Sequence, residues 1–256
     1  MDITGRSIIV TGGGSGLGRA SAELLAQRGA HVVVVDISAD AGKTVADQVG
    51  GTFAAADVTS ADDVIAAVDT AIAVAPLWGV VNCAGGGSIH RTIGRDGSYD
   101  SAHPLAEFEK VVTLNLVGTF NVARIAATAM SRNEPDTDGC RGAIVNTASV
   151  AAFDGQIGQT AYAAAKAGIA GLTLPLARDL SAAGVRVNTI APGTFETPPM
   201  LAVPAELRAS LAASVPFPHR LGRPPEFASL ALELLTNTYL NGTVVRLDGA
   251  IRMPPK

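Results

Sequence analysis

Tyr162 and Lys166 stand four residues apart in Tyr162-Ala163-Ala164-Ala165-Lys166, which puts a phenol and an ammonium on one face of a helix. A free phenol ionises near ~10, too high for an efficient base at neutral pH, but a neighbouring ammonium stabilises the phenolate. Most pairs at this spacing only pack on a surface, so the setting decides. The run 143–149 reads as a strand ending in the small polar residues Asn146, Thr147 and Ser149, and Ser149 lies thirteen residues before Tyr162. At the carboxyl end of a parallel strand a hydroxyl faces the crevice where ligands bind.

A second set of residues points to a nucleotide. Thr11-Gly12-Gly13-Gly14-Ser15-Gly16-Leu17-Gly18 stands between an apolar run and a helix, where bare backbone can approach a pyrophosphate at the positive helix end. A P-loop needs Lys and then Ser or Thr after its last glycine, whereas Arg19 and Ala20 follow Gly18. A nucleophile elbow on Ser15 fails because position 17 is Leu. A dinucleotide fingerprint survives, and the acid it expects about 20 residues on is Asp36. A carboxylate there accepts hydrogen bonds from both ribose hydroxyls of NAD and repels the 2′-phosphate of NADP. Gly14 and Ile37 supply no compensating cation, so NAD is the expected cofactor.

The elements that must position these groups alternate. Strands are expected at 7–11, 31–35, 52–55, 79–82, 143–147, 185–190 and 243–247. A helix runs through Leu17, Ala20, Leu24 and Leu25 to Gly29, and others are expected near 62–75, 105–131, 160–182 and 225–236. The unbroken His31-Val32-Val33-Val34-Val35 suits a parallel strand buried on both faces. The fold class that follows is α/β: a Rossmann-type doubly wound seven-stranded parallel sheet with helices on both faces, in one domain spanning 1–256. Two segments escape the pattern: 86–104, without periodicity, and 192–218, with six prolines around a short helical piece. Long irregular loops in compact domains are often functional.

Composition agrees with a compact chain: 48% of residues are hydrophobic, 16% charged and only 4% aromatic, so the core must be built from small side chains closely spaced. A net charge of -4 offers no basic surface for a nucleic-acid backbone. Cys83 and Cys140 share no CxxC spacing with each other or with the histidines, so neither a disulfide framework nor a metal site is expected. Asp69 interrupts the longest Ala/Val/Ile region, so no membrane span of ~18–20 residues is expected. The acidic start, Met1-Asp2-Ile3-Thr4-Gly5-Arg6, does not read as a signal or transit peptide, and a cytoplasmic location is expected.

Together these features resemble the short-chain dehydrogenase/reductase family over essentially the whole chain. The loop at 11–18, Asp57-Val58, Asn82-Cys83-Ala84-Gly85, Asn115, Ser149, Tyr162-x-x-x-Lys166 and Pro192-Gly193 match its pattern in order and spacing. Within the family, 146–156, 215–218 and 247–253 are similar to the type II 3-hydroxyacyl-CoA dehydrogenases. Those are NAD-dependent enzymes that also oxidise branched substrates such as 2-methyl-3-hydroxybutyryl-CoA and some hydroxysteroids. Cys83, where the wider family more often has Asn, agrees with that subgroup.

The resemblance implies roles. Tyr162 takes the hydroxyl proton, Lys166 supplies charge and holds the nicotinamide ribose, Ser149 binds the substrate oxygen, and Asn115 holds a water in a proton relay. Gly12, Ser15, Gly16, Leu17, Gly18 and Asp36 would contact NAD, with Asp57, Val58, Cys83, Ala84 and Gly85 around the adenine. Pro192, Phe195 and Thr197 would stand at the carboxamide end. Gln156, Gln159, Met200 and Leu201 are expected to wall the substrate, while Arg91, Arg95 and Lys110 could meet the phosphates of CoA. A homotetramer is implied as well. Two other functions stay open: an NAD-dependent hydroxysteroid or other secondary-alcohol dehydrogenase, and a non-catalytic NAD-binding scaffold.

Overall fold

The computed structural model describes residues 2–255. Strands β1 (Ser7–Thr11), β2 (His31–Asp36), β3 (Thr52–Ala55), β4 (Leu77–Asn82), β5 (Gly142–Thr147), β6 (Val185–Pro192) and β7 (Val244–Leu247) form a seven-stranded sheet. The order is β3-β2-β1-β4-β5-β6-β7 and every pair is parallel. The order reverses between β1 and β4, and a crevice opens there beyond the carboxyl ends of the strands.

The helices are α1 (Gly16–Gln27), α2 (Ala39–Val49), α3 (Ala61–Val74), α4 (Leu105–Val112), α5 (Gly118–Met130), α6 (Ala151–Asp154), α7 (Thr160–Asp179), α8 (Pro198–Leu201), α9 (Ala205–Ala213) and α10 (Pro224–Thr236). Successive strand side chains point to opposite faces, which divides the core in two. Val32 and Val34 of β2 join Leu25 of α1, Val45 of α2 and Leu234 of α10 on one side. Val33 and Val35 join Val68 of α3, Val122 of α5 and Leu176 of α7 on the other. A strand covered on both faces buries successive side chains alike, which is why the four valines of β2 show no alternation in sequence. Each fully buried valine contributes roughly 1.5–3 kcal/mol relative to exposure.

Three local features depart from expectation. Helix α2 fills a stretch in which no helix was expected; it starts at Ser38, whose hydroxyl accepts from the Ala41 N–H, and stops at Gly50 with φ of 64°. The proline-rich segment holds two helices, α8 and α9, rather than one short piece. The expected single helix at 105–131 is α4 and α5 joined by a π-helical turn, Thr113–Val117, with Asn115 inside it. The run Tyr99–Met130 is long and apolar enough to cross a membrane by length and composition, but half of its most apolar window is buried inside the protein. Its Val122, Ala123, Ala126 and Met130 face the sheet, as a core helix requires.

Candidate active site

The nucleotide side of the crevice is made largely of backbone. The Gly14 N–H donates to Asp36 Oδ2 at 2.9 Å and the Ser38 N–H donates to Oδ1 at 2.9 Å. A carboxylate has further lone pairs, so Asp36 is oriented by these bonds and still able to accept from ribose hydroxyls. Gly12 has φ of 60°, and a Cβ there would stand 2.8 Å from the Ala84 nitrogen; one on Gly14 would stand 2.9 Å from Asp36 Oδ2. Only glycine permits both approaches.

The N-terminus of α1 fits an anion. Its first turn holds no acid and Ser15 makes no capping bond, so the exposed N–H groups keep their positive field. By contrast α2 carries Asp40 and the Ser38 cap, and α3 carries Asp62, Asp63 and the Ser60 cap. The open start of α1 lies beside the glycine loop and Asp36, and this set of residues suits a dinucleotide. Asp57 and Val58 lie next to β3: Asp57 accepts from Thr59, and the Val58 carbonyl accepts from Asn121 Nδ2.

The other side of the crevice is built from side chains of two segments, the end of β5 and helix α7. The Ser149 Oγ, just past β5, accepts from the Ala151 N–H at 3.1 Å and lies within hydrogen-bonding reach of the Tyr162 phenol on α7. One turn on, the Lys166 Nζ donates to the Thr147 carbonyl at 2.8 Å and sits 5.6 Å from the centre of the Tyr162 ring. Burial depresses the Lys166 ammonium to about 8, an effect partly opposed by Cys83. Burial also raises the Tyr162 phenol, and the Ser149 hydrogen bond works against that rise. At neutral pH the pair therefore rests as a neutral phenol beside a charged ammonium.

Several of the expected site residues have partners within the chain. Asn115 is fully buried and its side chain clamps the loop after β4: Nδ2 donates to the Gly86 and Val111 carbonyls at 2.7 and 2.8 Å, and Oδ1 accepts from the Gly86 N–H at 3.3 Å. Both amide protons are thus committed to carbonyls, one of them in the π-helical turn, so the side chain ties that turn to the loop after β4. Cys83, expected at the adenine, turns its sulfur toward the Thr147 hydroxyl, at 3.7 Å, and feels the Lys166 charge. Desolvation pushes its thiol up to about 11, which makes it a poor nucleophile. The Phe195 ring is 6% exposed and packs against Gly222 in the core. Gln156 and Gln159 spend amide groups on the chain itself: Gln156 Nε2 donates to the Pro254 carbonyl, and Gln159 Oε1 accepts from the Gln156 N–H.

Further residues complete the surroundings of the crevice. Thr197 and Pro198 lie over Gly16 at the mouth of the glycine loop. Pro192 ends β6, and its carbonyl accepts from the Val150 N–H next to Ser149. Gly85 lies beside Asn115 and Lys166, while Gly87 backs onto the Tyr162 ring. Gly87 and the Thr147 carbonyl were missed; the run of three glycines at 85–87 was the available sign for the first. The substrate pocket was expected between Ser149, Tyr162 and the segment 194–218. A cavity of about 140 Å³ lies behind that segment, lined by Phe195, Val215, Pro218 and Leu247 among others, and neither Ser149 nor Tyr162 reaches it.

Comparison with known proteins agrees with this geometry. The family model described as short chain dehydrogenase matches residues 6–206. The 3-hydroxyacyl-CoA dehydrogenase type-2 of Drosophila melanogaster is 52% identical, over 96% of this chain and 97% of its own length. The crystal structure of 3-hydroxyacyl-CoA dehydrogenase type-2 from Mycobacterium avium is 51% identical, with a TM-score of 0.95 covering 98% of each chain. A 7 alpha-hydroxysteroid dehydrogenase solved with NADH and 7-oxo glycochenodeoxycholic acid is 30% identical, with a TM-score of 0.85 over 99% of this chain and 97% of that one. The chain belongs to the short-chain dehydrogenase family.

Proposed function

We propose that this chain is an NAD-dependent dehydrogenase that interconverts 3-hydroxyacyl-CoA and 3-oxoacyl-CoA, including 2-methyl-3-hydroxybutyryl-CoA. The chemistry rests on one observation, the convergence of Ser149, Tyr162 and Lys166 at the carboxyl edge of the sheet. The substrate class rests on identities near 50% over almost the whole chain to enzymes bearing that name. NAD as cofactor is supported by Asp36, by the open α1 N-terminus and by the NADH-bound relative.

Ser149 uses one lone pair on the Ala151 N–H, which leaves its proton and a second lone pair for Tyr162 and the substrate oxygen. In the reducing direction the neutral Tyr162 phenol donates its proton to the oxygen that develops negative charge, and Ser149 stabilises that charge. In the oxidising direction Tyr162 as phenolate takes the hydroxyl proton, with the Lys166 ammonium favouring the ionised form. A bound nicotinamide supplies the hydride donor or acceptor. Asp36 holds the adenosine ribose, the 12–18 loop meets the pyrophosphate, and Asn115 keeps the Gly86 backbone in place beside Lys166.

Reduction of acetoacetyl-CoA by NADH, with far less turnover using NADPH, is the expected result in a steady-state assay. Failure with every acyl-CoA chain length tried would overturn the substrate class. The hydroxysteroid reading is favoured by the solved steroid dehydrogenase relative, and a steroid turned over much faster than any acyl-CoA would establish it. The proposal includes a single domain and a homotetramer. Val117, Phe120 and Leu174, apolar and 44–47% exposed around α5 and α7, support the assembly. Sedimentation showing only a species of 25.9 kDa would exclude it.

A further inference from the structure

We propose that the C-terminal segment braces the loop that carries Ser149 and Tyr162, and that Arg246 is the positioning residue of this brace. The inference rests on the proposed roles of those two groups. Residues 150–159 connect them, and apart from the single turn of α6 this stretch has no regular structure to hold it. Pro192 of β6 anchors its start through the Val150 N–H. Its middle and far end are held from positions more than ninety residues away.

Arg246 on β7 donates through Nη2 to Asp154 Oδ2 at 2.5 Å, and its guanidinium lies 5.3 Å from the centre of the Phe153 ring. Gln156 Nε2 donates to the Pro254 carbonyl at 3.1 Å, and the Ile157 N–H donates to the Pro255 carbonyl at 3.0 Å. Arg246 also fixes the tail that makes those last two bonds. Its Nε donates to Asp248 Oδ2 at 2.7 Å and its Nη2 to the Ile251 carbonyl at 3.0 Å. Asp248 in turn accepts from the Ala250 N–H and from Arg252. Ala250 has φ of 68°, the only positive value at a non-glycine among the described residues, so this turn needs outside support.

Two features make the network more than a surface ion pair. The side chains of Arg246, Asp154 and Asp248 are 22%, 17% and 8% exposed, so water screens them less than it screens open pairs. The Arg246 guanidinium holds the Asp154 carboxyl below its ordinary range. Asp154 ends the four-residue α6, and the first N–H of that turn, from Ala151, is the donor that orients the Ser149 Oγ. Releasing Asp154 lets α6 rotate, and Ser149 moves with it. A displacement of about 1 Å at a reacting group costs on the order of a hundredfold in rate.

The tyrosines provide a readout that needs no substrate. Of the three in the chain, Tyr99 and Tyr239 are 100% and 99% exposed, so Tyr162 is the one shielded phenol in an ultraviolet pH titration. In Asp154→Asn and Arg246→Met its transition is expected to move to higher pH, because Ser149 no longer supports the phenolate, while the other two stay in place. Arg246→Lys, which keeps the charge, is expected to restore part of the wild-type position. With acetoacetyl-CoA, kcat is expected to fall about tenfold to a hundredfold, the deuterium isotope effect from 4-deuterated NADH to rise, and NADH affinity to stay unchanged. Folded variants with wild-type Tyr162 titration and wild-type kcat would overturn the brace, even if their melting temperatures fell. Should Asp154→Asn fail to fold, Gln156→Ala removes one bond of the same brace and is expected to give a smaller shift in the same direction; no shift there overturns it. If the wild type does not reduce acetoacetyl-CoA, the substrate reading fails while the titration still decides this one.

Discussion

The two sides of the crevice are made of different materials. Beyond β1 and β2 the surface is main chain: glycines that admit no Cβ, an uncapped helix start and one carboxylate steered by two N–H groups. Beyond β5 and β6 it is side chain: a hydroxyl, a phenol and an ammonium drawn together from a strand end and a helix, then shifted by burial. In the proposed function the first side binds by leaving backbone unobstructed, and the second reacts through groups whose pKa values burial shifts. The two sides should therefore fail in different ways.

The largest expected effect separates reaction from binding. Tyr162→Phe should lower kcat by about 10³, within the range for removing a general acid–base group, while NADH affinity from fluorescence titration stays within roughly twofold; equal losses in both would erase the distinction. Ser149→Ala should cost about 10² in kcat, as loss of one oxyanion donor does, with little change in KM. On the other side, Asp36→Ala should weaken NADH by about tenfold, the size of a lost charged hydrogen bond, and narrow the preference over NADPH. With saturating NADH its kcat should be close to wild type.

The smallest effect is a pH limb. Burial disfavours the charged form of Lys166, so the ammonium is lost near about 8 instead of its ordinary 10.5. Acetoacetyl-CoA reduction should thus fall about fourfold between pH 7 and 8.5, the loss expected of a single group titrating near 8. Lys166→Arg, which stays charged, should flatten that limb even if its overall rate is lower. The same shift bears on folding. A depressed ammonium pKa penalises the fold below about 8, and the penalty disappears as pH rises from there toward 10.5.

Much of this was legible because it is local. The β1 to α1 glycine spacing, Asp36 and the four-residue step from Tyr162 to Lys166 are each set within one or two elements, where turn geometry and helical pitch translate spacing into position. Strands β1, β2 and β4 were readable because a parallel strand buried on both faces tends to an unbroken apolar run. Helix α2 was missed because its buried face consists of Gly42, Val45 and Ala46, too few large apolar residues to mark a helical period, although its Ser38 start and Gly50 stop were both written in the sequence. The partners of Gln156, Phe195 and Asn115 were not legible for a different reason. Each lies at the expected point along the chain, but its side chain is satisfied by the Pro254 carbonyl, the core against Gly222 or the Gly86 main chain.

The sequence by itself determined the alternation of strands and helices, the glycine loop with Asp36 after it, and the four-residue step that puts Tyr162 and Lys166 on one helix face. Only the tertiary structure decided what surrounds those groups: the Thr147 carbonyl that receives Lys166, the amide clamp of Asn115 and the tail that grips Gln156 from 98 residues away. Local spacing fixes a side chain's direction through φ, ψ and helical pitch, but its burial and its partners, and so its pKa, depend on segments that only packing brings together.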